Sequence, residues 1–128
     1  MFNTNCLFMA QEKLDILLSA WEETYKKGQL TLWIFFALQD GRKYVDEIKR
    51  FVEQKSNGVM LCEEQSLYRA LRKYEHIGVV QHEAGAGNKG PERKYYYLTG
   101  LGKELFRLFV ERNIYLFYSE EIKKLLKH

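Results

Sequence analysis

Proline is nearly absent from this sequence: Pro91 stands alone among 128 residues. Helices can therefore run unbroken over most of the chain, because proline would remove a backbone donor and clash with the preceding turn. Cysteine is scarce too. Cys6 and Cys62 give neither a disulfide framework nor a metal-ligand spacing, and His76, His82 and His128 are equally scattered, so no metal or other cofactor is expected. Two such thiols fit a reducing cytoplasm, where they act as small, half-buried hydrophobes. The first residues lack a basic n-region, so no signal peptide is expected. The apolar run Leu30 to Leu38 has nine residues, well short of the ~20 needed to span a bilayer. No nucleophile–base spacing or glycine-rich loop opening a helix is seen, and the expectation is a cytoplasmic protein that is not an enzyme.

Charge of one sign is also missing. The net charge is +3, and residues 1–62 carry eight basic and eight acidic groups. Such a balance permits a nucleic-acid partner without requiring one, so any such argument rests on where the charges point. Aromatic residues, in contrast, are plentiful at 15%. A core this small hides them with difficulty, which points to a subunit interface or a ligand cavity.

Apolar periodicity organises the chain. From about Ala10 to Lys27, Leu14, Leu17, Leu18, Trp21 and Tyr25 fall on one helical face, and Gly28 can stop that helix. Leu30 to Gln39 reads as a helix that is apolar nearly all round and hence buried. Tyr44 to Lys55 reads as a third, with Val45, Ile48, Phe51 and Val52 inward. Val59 to Leu61 suits a short strand. A fourth helix opens at Glu63-Glu64 and closes at Gly78. Val79 to Glu83 and Lys94 to Thr99 are β-prone, and the glycine-rich stretch from Ala84 to Glu92 between them reads as the tip of a hairpin. A long helix follows from Leu101, with a further helical piece toward Leu126. The predicted class is mainly α with a small β-hairpin wing (α+β). It is a winged helix-turn-helix with extra terminal helices: an N-terminal helix (1–28), a winged-helix domain (29–100) and a C-terminal dimerisation helix and tail (101–128).

The fourth helix carries the chemistry. Leu67, Leu71 and Tyr74 form an apolar back. Gln65, Tyr68, Arg69, Arg72, Lys73 and His76 form a polar front, with Ser66 at its edge. A helix that reads the major groove needs such a front, since arginine presents a fork to guanine and glutamine pairs with adenine. A solvated face of an ordinary helix has the same pattern. The hairpin adds Lys89, Arg93 and Lys94 near glycines, which suits a phosphate backbone or a minor groove. Because strand side chains alternate, Tyr96 should face opposite to Tyr95 and Tyr97.

The segment from Ser66-Leu67-Tyr68-Arg69-Ala70-Leu71-Arg72-Lys73-Tyr74-Glu75 through Gly78-Val79-Val80 resembles the recognition-helix motif of PadR-family regulators. Gly90-Pro91 through Arg93-Lys94-Tyr95-Tyr96-Tyr97-Leu98-Thr99 and Gly102 resembles that family's wing motif, and the likeness spans roughly residues 28–110. It places Tyr68 and Arg72 at recognition-helix positions, Arg93 and Lys94 at basic wing positions, and Leu67, Leu71, Leu98 and Gly102 at structural ones. Three departures stand out. Tyr44-Val45-Asp46 takes the place of a His-Gly-Tyr signature, Arg69 replaces a proline and adds a donor, and the short C-terminal region resembles a compact branch of the family.

The resemblance implies a DNA-binding transcriptional repressor, acting as a homodimer and responsive to small aromatic compounds. Double-stranded DNA with a pseudo-palindromic operator is the expected partner. The expected dimer interface comprises Leu14, Leu17, Leu18, Trp21 and Tyr25 with Leu105, Leu108, Phe109, Leu116 and Phe117. Trp21, Trp33 and Phe36 are the candidate effector-stacking residues, although packing is their ordinary role. A winged-helix module that binds protein in place of DNA is the other reading, because fold does not fix function.

Overall fold

The computed structural model describes residues 4–85 and 92–127. Within the chain, Met1–Leu32 and Trp33–His128 form two compact units. The first holds helix α1 (Thr4–Lys26), which begins six residues before the expected start at Ala10 and takes in Cys6, Leu7, Phe8 and Met9. Its apolar stripe is open, and Leu14, Leu17, Leu18 and Trp21 are each more than half exposed. The second helix, α2 (Gln29–Gln39), follows directly and buries Ile34, Phe35, Ala37 and Leu38.

The second unit continues with α3 (Val45–Lys55) and α4 (Glu64–His76), strands β1 (Val80–Gly85) and β2 (Arg93–Leu98), α5 (Gly100–Asn113), a 3₁₀ turn (Tyr115–Tyr118) and α6 (Glu120–Leu126). Val45, Ile48 and Val52 of α3 and Leu67, Leu71 and Tyr74 of α4 turn inward, at the i, i+3, i+4, i+7 spacing of a helix with one apolar face. Ile34, Ile48, Leu67, Leu71 and Val80 are fully buried and make the centre of the core. Around it an aromatic layer forms: Phe35 meets Tyr74 and Phe106, and Phe36 meets Trp33 and Phe106.

Local chemistry sets the ends of these elements. Glu47 Oε1 accepts from the Tyr44 backbone N–H (3.2 Å) at the start of α3, so one of the orphan donors of that terminus is satisfied. Helix α4 ends in a Schellman motif. The Gly78 N–H reaches the Glu75 carbonyl and the Val79 N–H the Tyr74 carbonyl, and Gly78 takes the left-handed φ of 85° that this motif needs. Thr99 then caps α5. Its Oγ1 accepts from the Gly102 N–H (3.1 Å) and donates to the Gly78 carbonyl (2.7 Å).

Two expectations are corrected. Residues 59–61 form no strand: Met60 donates its N–H to Ser56 Oγ (2.9 Å) and accepts from that hydroxyl (3.3 Å), so its backbone bonds locally. The first strand extends further than composition suggested. Ala84 and Gly85 pair with Lys94 and Arg93 across the hairpin, in a register that sets Val80 against Leu98 and His82 against Tyr96. A residue's partner across a sheet is long-range information, and glycine content alone does not exclude it. The segment before α3 adds a bridge to this hairpin, because Lys43 and Tyr96 exchange both backbone hydrogen bonds (3.1 and 2.8 Å). No helix among the described residues is long and apolar enough to cross a membrane.

Candidate nucleic-acid interface

Helix α4 presents its polar side to solvent. Gln65, Tyr68, Arg69, Arg72, Lys73 and His76 are exposed, and Ser66 is half-buried at the edge. Burial of Leu67, Leu71 and Tyr74 on the opposite side fixes the rotation of the helix, and with it the direction in which Arg69 and Arg72 point.

The hairpin lies beside this face. Tyr96 is buried and Tyr95 and Tyr97 are half-buried, as strand alternation requires. Lys94, Tyr96 and His82 share the side of the ribbon that looks toward α4. Together with Tyr68, Arg72, Glu75 and His76 they line an open cleft of about 480 Å³. A second cleft of about 420 Å³ adjoins it, lined by Tyr44, Val45 and Asp46 at the start of α3, Glu64 and Tyr68 of α4, and Glu92, Arg93, Lys94 and Tyr96. Arg93 itself leans to the other side of the ribbon, its guanidinium 4.3 Å from the centre of the Tyr44 ring. The two adjacent wing cations therefore diverge. Lys94 lines both clefts, whereas Arg93 lines only the second, against Tyr44.

Residues given no site role on sequence grounds tie the wing to the helices. Tyr44 packs edge-on against Tyr95 (5.5 Å), and its hydroxyl accepts from Arg50 Nη2 (3.1 Å). Arg42 lies over the Tyr97 ring (4.7 Å) and pairs with Glu83. Lys43 Nζ reaches the Ala37 carbonyl (2.7 Å) and Asp40 Oδ2 (2.9 Å), so the same residue that bridges to β2 also satisfies the end of α2. That ammonium holds the Asp40 carboxyl below its ordinary range. His82 Nδ1 lies 2.9 Å from both carboxylate oxygens of Glu75. Burial pushes the Tyr96 phenol above its ordinary range, and the Glu75 carboxylate nearby adds to the shift. Glu75 closes the recognition-helix segment that begins at Ser66 without a role of its own there, and His82 lies in neither motif. Strand alternation puts His82 on the helix side, but its partner depends on the register.

Of the remaining site residues, Lys89 lies outside the described residues, as do Gly90 and Pro91 of the wing motif. Trp33 and Phe36 come together (5.6 Å) in the aromatic layer, half-buried. Trp21 belongs to α1 and is 74% exposed. Leu105, Leu108, Phe109, Leu116 and Phe117 are exposed on α5 and the turn after it. No group of three or more His, Cys, Asp or Glu that could hold a metal stands among the described residues.

Residues 34–108 match the model of the transcriptional regulator PadR-like family. The chain belongs to that family. Among solved structures, a PadR-like transcriptional regulator from Bacillus cereus superposes on this PadR-like chain with a TM-score of 0.65 at 24% identity, covering 82% of this chain and 98% of its own. A PadR family regulator from Eggerthella lenta gives 0.63 at 22%, covering 91% and 97%. Bacillus subtilis PadR in complex with operator DNA gives 0.58 at 20%, covering 63% of this chain and 46% of that one. At these identities the likeness is one of fold. A protein from Lysinibacillus sphaericus is 29% identical over 77 residues, 60% of this chain and 71% of its own. The segment from Leu98 to Gly102 joins the wing to α5, with Thr99 hydrogen-bonded to both Gly78 and Gly102. A Cβ on Gly102 would come within 2.0 Å of the Val79 carbonyl oxygen, so only glycine lets α5 approach the start of the wing this closely.

Proposed function

We propose that this PadR-like chain is a sequence-specific DNA-binding repressor that acts as a homodimer. The observation that carries the reading is the shared cleft. Arg72, Tyr68 and His76 on α4 stand across from Lys94 on β2, so helix and wing present donors to one open space. Arginine and glutamine on α4 suit base edges in the major groove, and the wing lysine suits phosphate. That Bacillus subtilis PadR, a relative in fold, is found with operator DNA supports the same use of the fold here.

Two apolar faces favour the dimer. On α1 the stripe of Leu14, Leu17, Leu18, Trp21 and Tyr25 is open, and on α5 and the following turn Leu105, Leu108, Phe109, Leu116 and Phe117 are open as well. Patches of this kind are uncommon on monomers and mark association surfaces. A two-fold pair would present two α4 helices to a pseudo-palindrome with half-sites about one helical turn apart. A flat aromatic effector would stack on Trp21, Trp33 or Phe36.

Selection of bound DNA from a random pool, followed by gel shift of the selected duplex at two salt concentrations, tests the reading. Enrichment of one paired motif is expected, with affinity falling steeply as salt rises because counterions are released. Arg72→Ala should cost about 1–3 kcal/mol on that duplex if the side chain reads a base. Recovery of no enriched sequence would turn the assignment toward a protein-binding module.

A further inference from the structure

The pair Glu75–His82 is an oddity in a surface meant for phosphate. Glu75 sits on the wing side of α4, three residues after Arg72, and its carboxylate lines the same cleft as Arg72 and Lys94. A loose acid there would repel DNA phosphate and would compete for Arg72, since residues three apart on a helix are neighbours. Instead both its oxygens lie 2.9 Å from His82 Nδ1. A carboxylate only accepts, so Nδ1 carries the proton and donates whichever state the ring is in. The ring is itself held, 5.5 Å from the Tyr96 ring, and Tyr96 is buried and bonded through its backbone to Lys43. The contact thus joins the last turn of α4 to the middle of β1, directly opposite the β2 residue two places after Lys94.

We propose that Glu75 and His82 are positioning residues. Their hydrogen bond sets the separation of α4 from the wing so that Arg72 and Lys94 bracket one sugar–phosphate strand, and it keeps the Glu75 carboxylate off Arg72. This rests on the DNA-binding reading above and adds to it two residues that touch no DNA. Loss of the His82 donor acts twice, because the wing is no longer held and the carboxylate is freed to pair with a cation that DNA needs. Both side chains are about one-third exposed, 28% for Glu75 and 32% for His82, so water can take the place of a lost partner and the cost to folding is small.

The test is a double-mutant cycle on the duplex selected by the wild-type chain, with thermal unfolding followed in parallel. His82→Ala should weaken binding about five- to tenfold and lower the salt slope by about one, as Lys94→Ala does, with the melting temperature nearly unchanged. In the Lys94→Ala background the further effect of His82→Ala should shrink to half or less, the remainder being the Glu75 carboxylate freed toward Arg72. His82→Asn, whose amide nitrogen sits near where Nδ1 lies, should recover most of the affinity. If the two losses simply multiply, or if His82→Asn behaves as His82→Ala does, the positioning role is overturned while the DNA-binding reading stands. If the wild-type chain itself retains no DNA at low salt, both fall together.

Discussion

Along α1, Leu14, Leu17, Leu18 and Trp21 lie more than half exposed, whereas Ile34, Ile48, Leu67 and Leu71 in the second unit are fully buried. Both sets belong to apolar faces of helices, the first on α1 alone and the second on α2, α3 and α4. The difference is the partner. Around α4 the chain supplies α2, α3 and β1 to cover the apolar face. The stripe on α1 is of similar size and stays open, so its stability as a helix is linked to whatever covers it. One amphipathic pattern therefore has two outcomes, a core closed within the chain and a face left open on α1.

The largest effect that would sharpen this contrast comes from truncating equivalent leucines. Leu71→Ala removes a fully buried side chain at the back of the proposed reading helix and should cost about 2–5 kcal/mol in denaturant unfolding. Leu17→Ala removes the same atoms from the open stripe. At concentrations where the chain is monomeric it should change unfolding by no more than about 0.5 kcal/mol, while weakening association in sedimentation. Equal costs for the two would mean that α1 is already covered within one chain, and the contrast would be lost.

Next comes Gly102→Ala. The added methyl would press on the backbone oxygen of Val79, a group held by the Thr99 N–H (3.1 Å) and unable to swing away as a side chain does. Overpacking of this sort should cost about 1–3 kcal/mol, read from the thermal midpoint. A neutral result would show that α5 is free to slide along the wing, and that the second unit is less tightly closed than its core suggests.

Much of this arrangement was legible in the residues. Helices α2 to α4 and their inward faces follow from apolar spacing, the burial of Tyr96 from strand alternation, and the PadR-like assignment from the two motifs at Ser66 and Gly90. What escaped is long-range. Alternation, applied to the three tyrosines, applies equally to Arg93 and Lys94, which leave the strand on opposite sides although both line the cleft beside Tyr44. Pairing of Gly85 with Arg93, the local bonding of Met60 to Ser56, and the contact of His82 with Glu75 all depend on which distant groups the folded chain brings into reach. Periodicity reports which way a side chain points, not what it meets.

The smallest perturbation uses the two cysteines, one in each unit. Cys6 on α1 is exposed, whereas Cys62, just before α4, is buried. Desolvation pushes the Cys62 thiol above its ordinary range, and the charge of Glu53 adds to the shift. The thiolate is the reactive form, so Cys62 is protected both by burial and by its retained proton. In the monomer, a disulfide reagent at pH 8 should modify Cys6 at the rate of an exposed thiol and Cys62 only as fast as the second unit opens. Because the folded chain holds the Cys62 proton more tightly than the unfolded chain does, this group leaves stability unchanged below the ordinary thiol range. As pH rises through and beyond that range, its contribution falls away and labelling of Cys62 should accelerate. Raising protein concentration should slow Cys6 if α1 becomes covered by a second copy, and should leave Cys62 as it was. Modification of both thiols at one rate, at any concentration, would erase the difference between the closed core and the open helix.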